Sequence, residues 1–145
     1  MKYIKGNILI ILLCFGFLFV RAQSIIINVT GYRNYEGDMI VALYSNPDQF
    51  PNEPALTVIQ KKEAVMSDTL SITFKNLVPG NYAISVLDDE NGNDAIDKRL
   101  LIPQEGFCFS RFVPQGLKYP IWDNCCFGVA HEDVTLTLQL YYFKK

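Results

Sequence analysis

Residues 71–86 read SITFKNLVPGNYAISV. Before the central Val-Pro-Gly-Asn, Leu70, Ile72 and Phe74 alternate with Thr69, Ser71 and Thr73; after it, Tyr82, Ile84 and Val86 alternate with Ala83, Ser85 and Leu87. A period of two built from β-branched and aromatic residues marks strands with one buried face. Pro79 and Gly80 supply a turn between them. The stretch predicts two strands joined through residues 76–81.

The same period recurs on both sides. In residues 24–30, Ile25, Ile27 and Val29 alternate with Ile26, Asn28 and Thr30, and in residues 38–44 Met39, Val41 and Leu43 hold every second place. Residues 31–37, with Asn34 and two glycines, read as the turn of an opening hairpin. A weaker strand is expected over 56–64, after the proline-rich 46–54. The last strand falls where Val134, Leu136, Leu138 and Leu140 alternate with Thr135, Thr137, Gln139 and Tyr141. No window of a dozen residues carries a 3.6 period, so any helix is short. The expected fold is all-β, a single Ig-like or prealbumin-like β-sandwich of about seven strands. Residues 100–126, rich in proline, glycine and aromatics, are expected to form a long, packed, irregular loop with one or two short strands.

The first residues follow another logic. Lys2 and Lys5 precede a nearly unbroken apolar run from Ile8 to Val20, closed by Arg21, Ala22 and Gln23. That is the charge, core and cleavage pattern of a secretory signal over residues 1–22, leaving a domain over 23–145. The run is short for a membrane span of about 20 residues, so no stable membrane insertion is expected after cleavage. Leu12 and Leu13 before Cys14 argue against a lipid anchor. Without residues 1–22 the chain carries 10 basic and 15 acidic side chains, a net charge of -5. An acidic protein without a basic surface is a poor ligand for nucleic acid. The expected location is secreted or periplasmic, with an extracellular or periplasmic ligand whose identity the residues do not specify.

Two groups of motifs carry a family resemblance. Phe74, Asn76, Leu77, Pro79, Gly80 and Tyr82 resemble the hairpin of prealbumin-like and carboxypeptidase-regulatory-like extracellular sandwiches. GDMIVALYSNPDQFP (37–51), DDENGNDAID (88–97), IPQEGFCFS (102–110) and WDNCCF (122–127) together resemble the secreted bacterial family DUF2141, over nearly the whole exported part. The resemblance implies a secreted or periplasmic single-domain protein and supplies no activity. The family usually places His where Asp88 stands, Gly at Asp94 and Cys108, and small residues at Cys125 and Cys126. These departures count against carrying any histidine-dependent chemistry over to this chain.

The acidic stretch is the one candidate site. Asp88, Asp89, Glu90, Asp94 and Asp97 fall within ten residues, interleaved with Asn91, Gly92 and Asn93. With Asp89 at position 1, Asn91, Asn93 and Asp97 take positions 3, 5 and 9 of an EF-like loop. Alternate oxygens at that spacing can wrap a hard cation such as Ca²⁺. Position 6, which wants Gly, is Asp94, and position 12, which wants a bidentate Glu, is Leu100. The other reading is a solvated turn in which Asp and Asn side chains cap their own backbone.

Three cysteines follow residue 22: Cys108, Cys125 and Cys126. A bridge from Cys108 to either neighbour of the vicinal pair would close about 18 residues, worth roughly 3 kcal/mol in the chain-entropy model. A strained Cys125–Cys126 bridge and three free thiols are the alternatives. The single His131 reads as a surface-turn residue. Phe107, Phe109, Phe112, Tyr119 and Trp122 are either core at one end of the sandwich or an exposed platform for sugar or peptide. No Gly-x-Ser-x-Gly elbow is present. The expectation is a non-catalytic binding or structural accessory module, with a cell-surface carbohydrate binder and, behind it, a small carboxylate-dependent hydrolase as the alternatives.

Overall fold

A computed structural model describes residues 22–65, 67–115 and 118–143. The signal expected over residues 1–22 lies, Ala22 apart, outside the described residues. Among the described residues ten strands run in chain order: β1 (Gln23–Thr30), β2 (Asp38–Tyr44), β3 (Leu56–Lys61), β4 (Thr69–Leu77), β5 (Gly80–Asp89), β6 (Lys98–Arg99), β7 (Ile102–Pro103), β8 (Gly106–Phe109), β9 (Phe127–Val129) and β10 (Val134–Gln139). Short 3-10 turns occupy Pro47–Gln49 and Lys62–Ala64, and one helical turn, α1, occupies Trp122–Cys125. Seven of these strands have four residues or more, as the period-two reading predicts.

Eight of the strands form two face-packed sheets, and β6 and β7 pair only with each other. One has the order β10-β1-β4, with β10 parallel and β4 antiparallel to β1. The other has the order β3-β2-β5-β8, with β9 paired to the first residues of β5. Alternate side chains of both sheets meet between them: Ile25, Ile27, Val29, Leu70, Ile72 and Phe74 from one layer, Met39, Val41, Leu43, Ile84, Val86 and Cys108 from the other. The outer face of the three-stranded sheet is polar, with the Ser71 hydroxyl donating to the Asn28 side chain at 2.6 Å. Burial of about 25 cal/mol per Å² of apolar surface drives the two layers together.

Two expected hairpins are corrected. β1 and β2 lie in different sheets, as do β4 and β5. The linkers 31–37 and 76–81 therefore cross between layers rather than closing ladders. Each pair of strands presents an apolar face of the same parity, and both faces are buried equally well by stacking one strand over the other. The expected strand at 56–64 ends at Lys61, where the chain turns so that Lys62 points inward.

The outer face of the larger sheet is half covered. Ala42, Tyr44, Phe50, Ala83 and Cys125 form a second small core, against which Phe109, Phe112 and Trp122 pack. Phe50 sits at its centre, edge-on to Tyr44, Phe109 and Trp122 at centroid distances of 5.0, 5.9 and 6.0 Å. The irregular 100–126 segment thus folds back over its own sheet and contributes β8 to it.

Candidate functional site

At the far end of β5 the alternation that buries Tyr82, Ile84 and Val86 carries Asp88 into the interior. A lone buried carboxylate would be costly, and it is paired. The Lys62 ammonium, equally buried, donates to one Asp88 oxygen and the Tyr142 hydroxyl donates to the other. Lys62 also donates to the Asn34 side-chain oxygen at 3.2 Å, and the Arg33 guanidinium lies 3.7 Å from the centre of the Tyr142 ring. Burial and the neighbouring Asp88 carboxylate hold the Tyr142 phenol well above its ordinary range. Gly106 is required here, because a Cβ at that position would collide with the Tyr142 ring.

Asp89, also buried, turns to its own loop. One carboxylate oxygen accepts from the backbone N–H of Gly92 at 2.8 Å and of Asn93 at 3.1 Å; the other accepts from Asp94 at 2.8 Å. Asp94 has φ +61° and Gly92 φ +69°, so the chain coils tightly around that carboxylate. Asn91 and Asn93 cap Asn93 and Ala95 through their side-chain oxygens, at 3.2 and 2.9 Å. Their amide groups donate to the two oxygens of Asp97, at 2.7 and 3.1 Å. Buried Glu105 clamps the loop's two ends, accepting from Glu90 N–H at 3.1 Å and Asp97 N–H at 2.9 Å. Desolvation raises the Glu105 carboxyl above its usual range, while those two N–H groups pull it back.

The four side chains proposed for an ion are thus placed as follows. Asn91 and Asn93 meet on Asp97, and Asp89 faces the backbone of the turn. Among the described residues no three carboxylate, thiol or imidazole groups gather as a metal-binding set.

The acidic loop walls a groove on the uncovered part of the larger sheet. The cavity holds about 650 Å³, within the range of small-molecule sites. Ile40, Leu87, Phe107 and Phe109 belong to its lining from the sheet, Asp94, Ala95 and Ile96 come from the acidic loop, and Lys118 and Tyr119 from the irregular segment. Phe143 adds a ring from the C-terminal tail and packs on Phe107 at 5.9 Å. Asp94 is the acid among the lining residues.

A sequence profile described as an uncharacterized protein conserved in bacteria, DUF2141, matches residues 27–137. The chain belongs to the DUF2141 family. No curated protein and no solved structure matches it. Two of the motifs by which this DUF2141 chain resembles its family, DDENGNDAID and IPQEGFCFS, supply the polar end just described. Asp89 holds the DENGN turn and Glu105 closes it. Gly106 admits Tyr142, and buried Ser110 accepts from Ile84 N–H at 2.9 Å while donating to the Cys125 carbonyl at 2.7 Å.

The expected disulfide is absent, and all three cysteines are free thiols. Cys108 faces the central core whereas Cys125 belongs to the small core on the opposite side of the same sheet. Desolvation pushes the Cys108 thiol up to about 12 and the Cys125 thiol up to about 11. Of the aromatics in the irregular segment, Phe109, Phe112 and Trp122 pack into the small core, while Tyr119 is 66% exposed. His131 lies exposed in a bend before β10. The sequence reading passes over Lys62 and Tyr142 and takes Asn34 only as a turn residue. A lysine at the end of a weak strand gives no local sign that it will pair with a carboxylate 26 residues on.

Proposed function

We propose that this chain is an exported, non-catalytic binding module that takes an apolar ligand in the groove across the outer face of β2, β5 and β8. The carrying observation is the groove itself, an apolar floor of Ile40, Leu87, Phe107 and Phe109 with polar groups such as Ser85, Thr57, Asp94, Lys98 and Lys118 around it, a mostly apolar lining with polar groups to orient a ligand. The acidic loop serves as its rigid wall. A hydrolase would need two acids across a cleft, and Asp94 alone supports that role poorly. The test is titration with an apolar fluorescent dye. Binding to the unaltered protein, weakened at least tenfold by Leu87→Lys, is expected; no binding, or equal binding to both, overturns the reading.

Tyr119, exposed at the groove rim, favours a carbohydrate ligand as a second reading. The half-burial of Trp122 against Phe50 removes the larger ring from that role. Binding of short glycans that disappears in Tyr119→Ala, without dye binding, would select it.

Calcium enters as a variant of the main reading, supported by the meeting of Asn91 and Asn93 on Asp97. Ca²⁺ would recruit Asp89, Asn91, Asn93 and Asp97, turning the two amide oxygens inward, at an affinity on the order of 10⁻⁴ to 10⁻³ M for an extracellular module. A rise in Tm at millimolar Ca²⁺ supports the ion; an unchanged Tm leaves the loop on its own hydrogen bonds.

A further inference from the structure

Strands β6 and β7 pair Arg99 with Ile102 and leave Leu100 and Leu101 as a two-residue turn. Both leucines have positive φ, +50° and +68°, the pattern of a type I′ turn, whose usual occupants are Asn and Gly. Leucine is a poor choice for that conformation, because its Cβ crowds the following carbonyl. Nor is the strain offset by burial, since Leu100 is 89% exposed and Leu101 83% exposed. Ile102 beside them and Val113, Tyr119 and Ile121 in the next segment are exposed as well. Side chains that cost conformational energy and leave their apolar surface in water point to a contact made elsewhere.

The charge around this tip indicates what the contact is. Residues 98–121 hold Lys98, Arg99, Arg111 and Lys118 against one acid, Glu105, and that acid is buried. The rest of the chain from residue 23 carries 14 acids and six basic residues. Lys98 and Lys118 border the same groove as Leu101 and Tyr119, which places the two segments side by side. Apolar tips flanked by cations and a tyrosine are the composition of an interfacial membrane contact. The acids Asp94, Asp97 and Asp123 adjoin this patch, and at a Debye length of about 8–10 Å an approaching surface meets them together with the more numerous Lys98, Arg99, Arg111 and Lys118 rather than the acids of the far end.

We propose that the β6–β7 tip docks this protein peripherally on an anionic lipid bilayer, with Leu100 and Leu101 entering the acyl boundary and Lys98, Arg99 and Lys118 lying among the headgroups. An anionic glycan would satisfy the cations but leaves the two leucines without a partner, so the bilayer accounts for more of the surface. The contact is distinct from spanning: no described helix is long and apolar enough to cross a membrane.

The experiment is vesicle flotation with the chain beginning at Ala22, which holds all the described strands. Phosphatidylcholine vesicles are compared with vesicles containing added phosphatidylglycerol, at low and high salt. The protein is expected to float with the anionic vesicles at low salt and to be released by high salt. Leu100→Asn with Leu101→Gly relieves the turn, so this double variant is expected to melt on the order of 5 °C higher while losing at least tenfold in vesicle affinity. Lys98→Gln with Arg99→Gln is expected to lose roughly tenfold through charge alone, and Lys75→Gln, on β4, to change nothing. Absence of flotation, equal flotation with neutral vesicles, or unchanged flotation of the leucine double variant overturns the proposal. So does binding of dextran sulfate that survives the leucine change and exceeds vesicle binding, since the cations would then act alone.

Discussion

Two turns border the groove, and they use their side chains in opposite ways. In the loop from Asp89 to Asp97 the side chains of Asp89, Asn91, Asn93 and Asp97 bond to the loop's own backbone or to another loop residue, and buried Asp89 and Glu105 hold five backbone N–H groups between them. The Leu100–Leu101 turn holds an unfavourable backbone with side chains that project into water. A loop whose chemistry is consumed internally is scaffold, however conspicuous its acids. A turn that tolerates strain to present apolar surface is where an external partner is expected.

The largest effect that would break this contrast lies beneath the scaffold. Lys62→Met or Asp88→Leu alone leaves a buried charge unpaired and is expected to cost about 3–5 kcal/mol in urea denaturation, with the double variant recovering most of it. Additive losses would mean that the two groups do not depend on each other. Next comes Asp89→Ala, which strips three backbone N–H groups of their acceptor at a cost of about 2–4 kcal/mol. Asp94→Ala, by contrast, changes an exposed side chain at a residue with φ +61°, and is expected to cost less than about 1 kcal/mol. The Leu100→Asn, Leu101→Gly variant has the opposite sign, a gain of about 1 kcal/mol.

How far the sequence was legible follows from the range of each interaction. Period-two alternation located β1 to β5 and β10, because which face is buried is a local property, whereas β8 and β9, which bring Cys108, Phe127 and Val129 into the core, are too short to show it. It could not say that β1 and β2 belong to different sheets, since an apolar strand face is satisfied equally by a neighbour beside it or a layer above it. The Asp and Asn residues of the loop were readable as turn caps because their partners lie two to five residues away. The same spacing also fits a cation, and only the direction of the Asp89 carboxylate distinguishes what it holds. Lys62, Tyr142 and the groove depend on contacts between distant segments, and the expected cysteine bridge failed because a sheet stands between Cys108 and Cys125.

The thiols give the smallest and most specific effect. With their folded values raised to about 12 and about 11, Cys108 and Cys125 contribute stability that is complete below the ordinary thiol range near 8.5. That contribution is lost as pH rises toward those raised values, because the unfolded chain ionises first. Stability is therefore expected to fall above about pH 9, and to fall less steeply in Cys108→Ala. In the native protein at neutral pH, half-exposed Cys126 is expected to react first with a thiol reagent and Cys108 last.

The most direct test of the scaffold role is amide hydrogen exchange at Gly92, Asp94 and Asp97 in the presence of a chelator. If Asp89 and Glu105 hold the loop by themselves, these three amides exchange slowly without any cation and Ca²⁺ leaves their rates unchanged. Exchange at open-loop rates in chelator, with protection appearing only on addition of Ca²⁺, would contradict it.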